Sequence, residues 1–172
     1  MKKPVTEICD LNSELPPDAP DAPQWLVDAL QVPREEGWVT SEGCDVHYFR
    51  WGDPANPPLL LMHGFLAHAR CMAFIAPFLA EQYHVVAYDL SGMGDSGVRS
   101  SYPDAIRAQE VVDVARETGL FDHAIKPIVI AHSYGGHVGL AAMNDFHELF
   151  SGLVICDLMV LRPERLKAHF GG

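Results

Sequence analysis

Pro127-Ile128-Val129-Ile130-Ala131-His132-Ser133-Tyr134-Gly135-Gly136 decides how this sequence folds. An apolar run of strand length ends in a serine set among small residues, and a helical pattern over residues 133–145 begins at that serine. A strand that turns so sharply into a helix leaves no room for side chains two positions before or after the serine, and Ala131 and Gly135 meet that need. The stretch therefore reads as a nucleophile elbow with the Ser133 hydroxyl at its tip. Because the helix starts at the serine, backbone N–H groups and the positive end of the helix dipole sit where a developing oxyanion needs them; Tyr134 N–H is the donor expected. The alternative is a chance strand-to-helix connection in which Ser133 serves only as an N-cap.

Outward from the elbow, three more apolar runs of strand length occur at residues 58–62, 84–88 and 152–156. None alternates with polar residues, which predicts strands buried on both faces of a parallel sheet. Helical patterns lie between and after them, over residues 71–82, 103–118 and 163–170. In the second, Ala108, Val111, Val112 and Ala115 share a face and Gly119 is placed to end the helix. Upstream, residues 38–40 and 46–50 are β-prone and flank the turn residues Ser41-Glu42-Gly43, so a hairpin opens the domain. Alternating strands and helices argue for an α/β fold: a doubly wound, mostly parallel sheet with right-handed crossovers. The chain is expected to stop after about the sixth strand.

Residues 1–36 carry eight acids against three bases and hold six of the 13 prolines, an acidic Pro-rich tail. Within it, residues 23–30 predict a short docking helix burying Trp25, Leu26 and Leu30. The domain proper then spans residues 37–172. At roughly 150 residues per domain, 172 residues make one domain. A 48% hydrophobic composition with mean hydropathy +0.03 suits a chain with a real core. Twelve Lys+Arg against 23 Asp+Glu leave a net charge of −11, which repels phosphate backbones and anionic lipid, so neither nucleic acid nor membrane is expected as a partner. No apolar stretch approaches the ~20 residues of a spanning helix, and no secretory leader is recognisable, so the expected location is cytoplasmic. Cys9, Cys44, Cys71 and Cys156 are scattered without a Cys-x-x-Cys pair, neither a disulfide framework nor a zinc ribbon. His147-Glu148 begins like a zincin motif but lacks the second histidine. No cofactor or metal is expected.

In an open α/β sheet, ligands bind beyond the carboxyl ends of the strands. After the 58–62 run comes His63-Gly64-Phe65-Leu66, a turn that sets the Phe65 N–H beside the elbow as a second oxyanion donor. His63 is expected to tie down this loop. After the 84–88 run, Asp89-Leu90-Ser91-Gly92-Met93-Gly94-Asp95-Ser96-Gly97 lacks the lysine of a phosphate loop and reads as structural. With these three loops in this order, the chain resembles the α/β-hydrolase superfamily from about Trp38 to Asp157. The resemblance implies a Ser133 nucleophile, an oxyanion hole from Phe65 and Tyr134, and hydrolysis of an ester, thioester, amide or carbon–carbon bond of a small-molecule acyl substrate through an acyl-enzyme. Haloalkane dehalogenases and epoxide hydrolases of this fold carry aspartate at the elbow, where this chain has serine.

The family's order is serine, then acid, then histidine, with the acid usually after the seventh strand and the histidine after the eighth. Only 39 residues follow Ser133. Asp157 stands at a strand's carboxyl end, where some members carry the acid; strand-end aspartates are also commonly structural. His169 lies 12 residues beyond it with no intervening strand, a poor base. His132 and His137 flank the serine, and family elbows commonly carry such a histidine without using it. The expectation is thus the amino-terminal portion of a serine hydrolase, nearly inactive by itself; the alternative is a truncated or pseudo-hydrolase whose role is not catalysis.

Overall fold

In the computed structural model, residues 3–4 and 22–158 are described. The 163–170 helical pattern, His169, Cys9 and most of the acidic tail lie outside them. Seven strands form one sheet: β1 (Lys3–Pro4), β2 (Glu35–Ser41), β3 (Cys44–Trp51), β4 (Pro58–Met62), β5 (His84–Tyr88), β6 (Ile128–His132) and β7 (Gly152–Cys156), in the order β1-β2-β3-β5-β4-β6-β7. The β5-β4-β6-β7 block is parallel, and β3, β2 and β1 extend it antiparallel. Set aside the two-residue β1, and β7 is the sixth strand. The helices are α1 (Gln24–Gln31), α2 (Ala76–Ala80), α3 (Asp104–Glu117) and α4 (Tyr134–Phe146).

Period-two alternation divides the core between the two faces of the sheet. Val46, Tyr48, Leu60, Met62, Val86 and Tyr88 pack under α3 and α4 with Val111, Val114 and Val138. Phe49, Trp51, Leu59, Leu61, Val85 and Ala87 pack on the other face with Ala69, Ala73 and Ala76. The sheet is wound on both faces, and β4 and β5 are buried at every position. Each fully buried aliphatic side chain there contributes roughly 1.5–3 kcal/mol relative to exposure.

Three details depart from the sequence pattern. β6 alternates between buried and half-buried, and β7 is half open, with Val154 50% exposed. The cause is coverage: Ile128 and Ile130 lie at the rim of the second cluster, which Ala73 and Ala76 cap over β3, β5 and β4. Residues 71–82 form not one helix but a 3-10 turn (Ala69–Met72) followed by α2, since Pro77 has no N–H to continue a helix and suits the first turn of a new one. In α1, Ala29 is the buried residue, whereas Trp25 stays 53% exposed and meets Phe78 at a tilt of 48°, 6.4 Å between ring centroids. Among the described residues no helix is long and apolar enough to cross a membrane.

Candidate active site

Parallel pairing of β6 between β4 and β7 brings Ser133 to the carboxyl end of the sheet. Its backbone sits at φ +50°, ψ −116°, a conformation that costs a non-glycine residue about 1–3 kcal/mol unless its surroundings impose it. Two bonds impose it: Ser133 N–H donates to the Cys156 carbonyl at 2.9 Å, and Gly136 N–H donates to the Ser133 carbonyl at 2.8 Å. The need for small residues is visible as distance. A Cβ on Gly135 would stand 2.6 Å from the His63 carbonyl oxygen, and one on Gly136 would stand 2.8 Å from Ile155 Cγ2. The first turn of α4 thus lies directly on the backbone after β4, and Ala131 beneath it is fully buried.

The loop after β4 passes over the elbow. A Cβ on Gly64 would meet His132 Nδ1 at 2.9 Å and Ser133 Cβ at 3.3 Å. Phe65 follows, 63% exposed, its ring edge-on to that of Tyr134, with the planes inclined at 70° and the centroids 5.6 Å apart. Ser133, Phe65 and Tyr134 are therefore gathered at one place. His63 fixes the loop: its buried Nε2 accepts from Leu90 N–H at 3.0 Å, so Nδ1 carries the proton and donates to the Gly64 carbonyl at 2.7 Å. Burial lowers the His63 pKa despite that carbonyl, keeping the ring neutral. Asp157, exposed and at φ +58°, directly follows Cys156, which is paired with His132, so its backbone is abreast of Ser133. Among the described residues no imidazole hydrogen-bonds the Ser133 hydroxyl, and none bonds Asp157. His132 and His137 are both exposed.

The loop after β5 is built on Asp89. One carboxylate oxygen accepts from Ala69 N–H; the other accepts from Asp95 N–H at 2.9 Å and from His47 Nδ1 at 2.8 Å. Gly94, at φ +54°, exists at this loop's bend because a Cβ there would collide with that carboxylate. His47 Nε2 faces Glu36 at 2.8 Å, so both ring nitrogens donate to carboxylates. Burial opposes charge on this imidazole, but Asp89 and Glu36 outweigh it and raise its pKa. Burial likewise works against the Asp89 carboxylate, and the donors from His47, Ala69 and Asp95 prevail, lowering its pKa. Glu36, His47 and Asp95 offer ligand atoms within 4.8 Å of one another, yet the two imidazole nitrogens are already committed to carboxylates. A cleft of about 290 Å³ opens alongside, lined by Phe49, His68, Arg70, Asp89, Gly94 and Asp95.

The profile of the Alpha/beta hydrolase family matches residues 59–171. The chain belongs to that family. Among curated relatives of this alpha/beta hydrolase family chain, the uncharacterized hydrolase YugF of Bacillus subtilis is 28% identical over 135 residues, 77% of this chain and 48% of that protein. The soluble epoxide hydrolase of a Corynebacterium species is 32% identical over 127 residues, 73% of this chain and 41% of that one. Among solved structures, a bacterial membrane phospholipase A aligns with a TM-score of 0.68 at 31% identity, covering 76% of this chain and 41% of that one. The chain spans about half the length of the relatives it matches.

Sequence patterning missed the polar support under this alpha/beta hydrolase site. Glu110 on α3 is fully buried; it accepts from Ser91 N–H at 2.9 Å and from Arg99 at 3.0 Å, with Arg107 3.6 Å away. Arg107 donates to the Ser91 carbonyl at 2.9 Å and stacks on Tyr102 and Tyr134. The available signal was positional: Arg107 and Glu110 share the helix face of Val111 and Val114, where a charge requires a partner.

Proposed function

We propose that this chain carries the nucleophile half of a serine hydrolase that cleaves an ester or related bond of a small acyl substrate through an acyl-enzyme on Ser133. The observation that supports it most is the elbow itself: a serine held at φ +50° with the Gly64 backbone pressed against it. In this reading the Ser133 hydroxyl oxygen attacks the acyl carbon while a base takes its proton. Phe65 N–H and Tyr134 N–H hold the oxyanion, the leaving group departs with a proton, and water then releases the acid from the acyl-enzyme. Serine at the elbow separates this reading from an epoxide hydrolase, whose nucleophile is an aspartate. Asp157, abreast of Ser133, is the acid we propose from this chain, and cytoplasm the location.

A second reading, a pseudo-hydrolase that binds without catalysing, draws on the lack of any imidazole bonded to Ser133 among the described residues. Intact mass of the protein from its native source, before and after a fluorophosphonate probe, separates the two. One adduct on Ser133, lost in Ser133→Ala, supports the hydrolase. A protein that stays unlabelled overturns it in favour of the binding module.

A further inference from the structure

At the opposite end of the sheet from Ser133, His84 opens β5. It is 1% exposed, and neither Nδ1 nor Nε2 has a hydrogen-bond partner. A neutral imidazole carries one donor and one lone pair, and burial of both unmet is uncommon in a folded protein. The residue lines a cleft of about 400 Å³ together with His123, Asp122, Thr118, Arg50 and Ala55. The His123 ring centroid is 5.9 Å from that of His84, with the planes inclined at 48°.

We propose that this cleft binds a divalent transition-metal ion between the imidazoles of His84 and His123. Metal–nitrogen bonds of about 2.0–2.1 Å place two imidazoles that share one ion with ring centroids roughly 5–6 Å apart. Imidazole nitrogen suits zinc, nickel and copper rather than magnesium or calcium. Burial, with Arg50 and His123 adding to it, lowers the His84 pKa to about 4, so its lone pair is free at neutral pH. Arg50 is bonded to Glu35, which offsets its charge toward a cation. The Glu36–His47–Asp95 set differs in that its imidazole nitrogens are both taken. Because His123 belongs to the connection between α3 and β6, the ion would fasten that connection to the start of β5, a structural role remote from the Ser133 loops and independent of the proposed hydrolysis.

Zinc titration of the metal-free full chain by calorimetry, with thermal unfolding in parallel, tests this in wild type, His123→Ala and His68→Ala. His123 lies in a loop and is half-buried, so its truncation preserves the fold, whereas His84 sits in the core; His68, exposed near Cys71, controls for surface binding. The expected result is one zinc equivalent that weakens at least tenfold in His123→Ala and persists in His68→Ala, with zinc raising the melting temperature of the wild type and not of His123→Ala. Coincident zinc titrations for wild type and His123→Ala, whether both bind or neither does, overturn the proposal.

Discussion

Replacing Gly135 by alanine adds one methyl group at the junction of α4, β4 and the elbow. In an ordinary helix interior this exchange gains up to about 1 kcal/mol from propensity. Here the new Cβ stands 2.6 Å from the His63 carbonyl oxygen and 3.1 Å from both Met62 Cβ and the Met62 carbonyl oxygen, about 0.8 Å short of ordinary contact at the first. Two of those three atoms are backbone, in β4 and the residue after it, so no side chain can rotate away; α4 must lift off the sheet. Overpacking of this kind costs typically about 1–3 kcal/mol. A backbone contact under 3 Å sets the upper part of that range, about 2–3 kcal/mol, and with about 1 kcal/mol of propensity deducted Gly135→Ala should lose about 1–2 kcal/mol. At about 2 kcal/mol per molar urea, the midpoint falls by roughly 0.5–1 M. Gly152→Ala is the control, because a Cβ there has nothing within 4 Å, and its midpoint should move by little. Urea unfolding followed by circular dichroism reads both. A Gly135→Ala protein as stable as wild type, or more so, would refute the argument that the backbone beneath α4 sets the small-residue requirement.

The His47 cluster makes stability depend on pH in a direction fixed by its shifts. His47 is raised from 6.5, so its contribution is full below pH 6.5 and is lost as pH rises through the folded value; Asp89 is lowered from 3.8, so its contribution is full above that value and is lost in acid. The stability advantage of wild type over His47→Gln, read from urea midpoints, should therefore be greatest near pH 5–6 and shrink toward pH 9, and an advantage flat across that range would count against the imidazolium. Glu110→Ala leaves Arg99 and Arg107 buried without their carboxylate and frees Ser91 N–H. About 3–5 kcal/mol should be lost, as for other broken buried pairs, and a loss under about 1 kcal/mol in the same unfolding assay would show the network to be dispensable.

Local patterns that report burial on both sides were readable in the sequence: Leu59 to Met62 and Val85 to Tyr88 are buried strands, and Ala131 and Gly135 flank a strained serine. What was not readable depends on coverage or on distant partners. Ile128 and Val154 look as apolar as Leu60, yet among the described residues no helical face covers them fully, and hydrophobicity along one strand carries no record of its neighbours. The break at Ile75 follows from a single proline inside an otherwise helical apolar run. Glu110, Arg99 and Arg107 come from a helix and a loop, and His47 meets Asp89 across 42 positions; such pairs are made by topology, which spacing does not encode. At the site, the loops carrying Phe65 and Tyr134 were anticipated from motif order, and the loop after β5 read as structural, although nothing in its sequence marked Asp89 as the hub that ties it to the loop after β4.

The bond from Ser133 N–H to the Cys156 carbonyl makes the elbow a tethered spring whose anchor is the last residue of β7, the outer strand among the described residues. Strain at Ser133 is retained only while β7 stays seated, and outer strands are the first parts of a sheet to open in local fluctuations. Fraying of β7 and relaxation of the serine are thus one event. Any element laid against β7 would act as a latch, holding the nucleophile tensed without touching it.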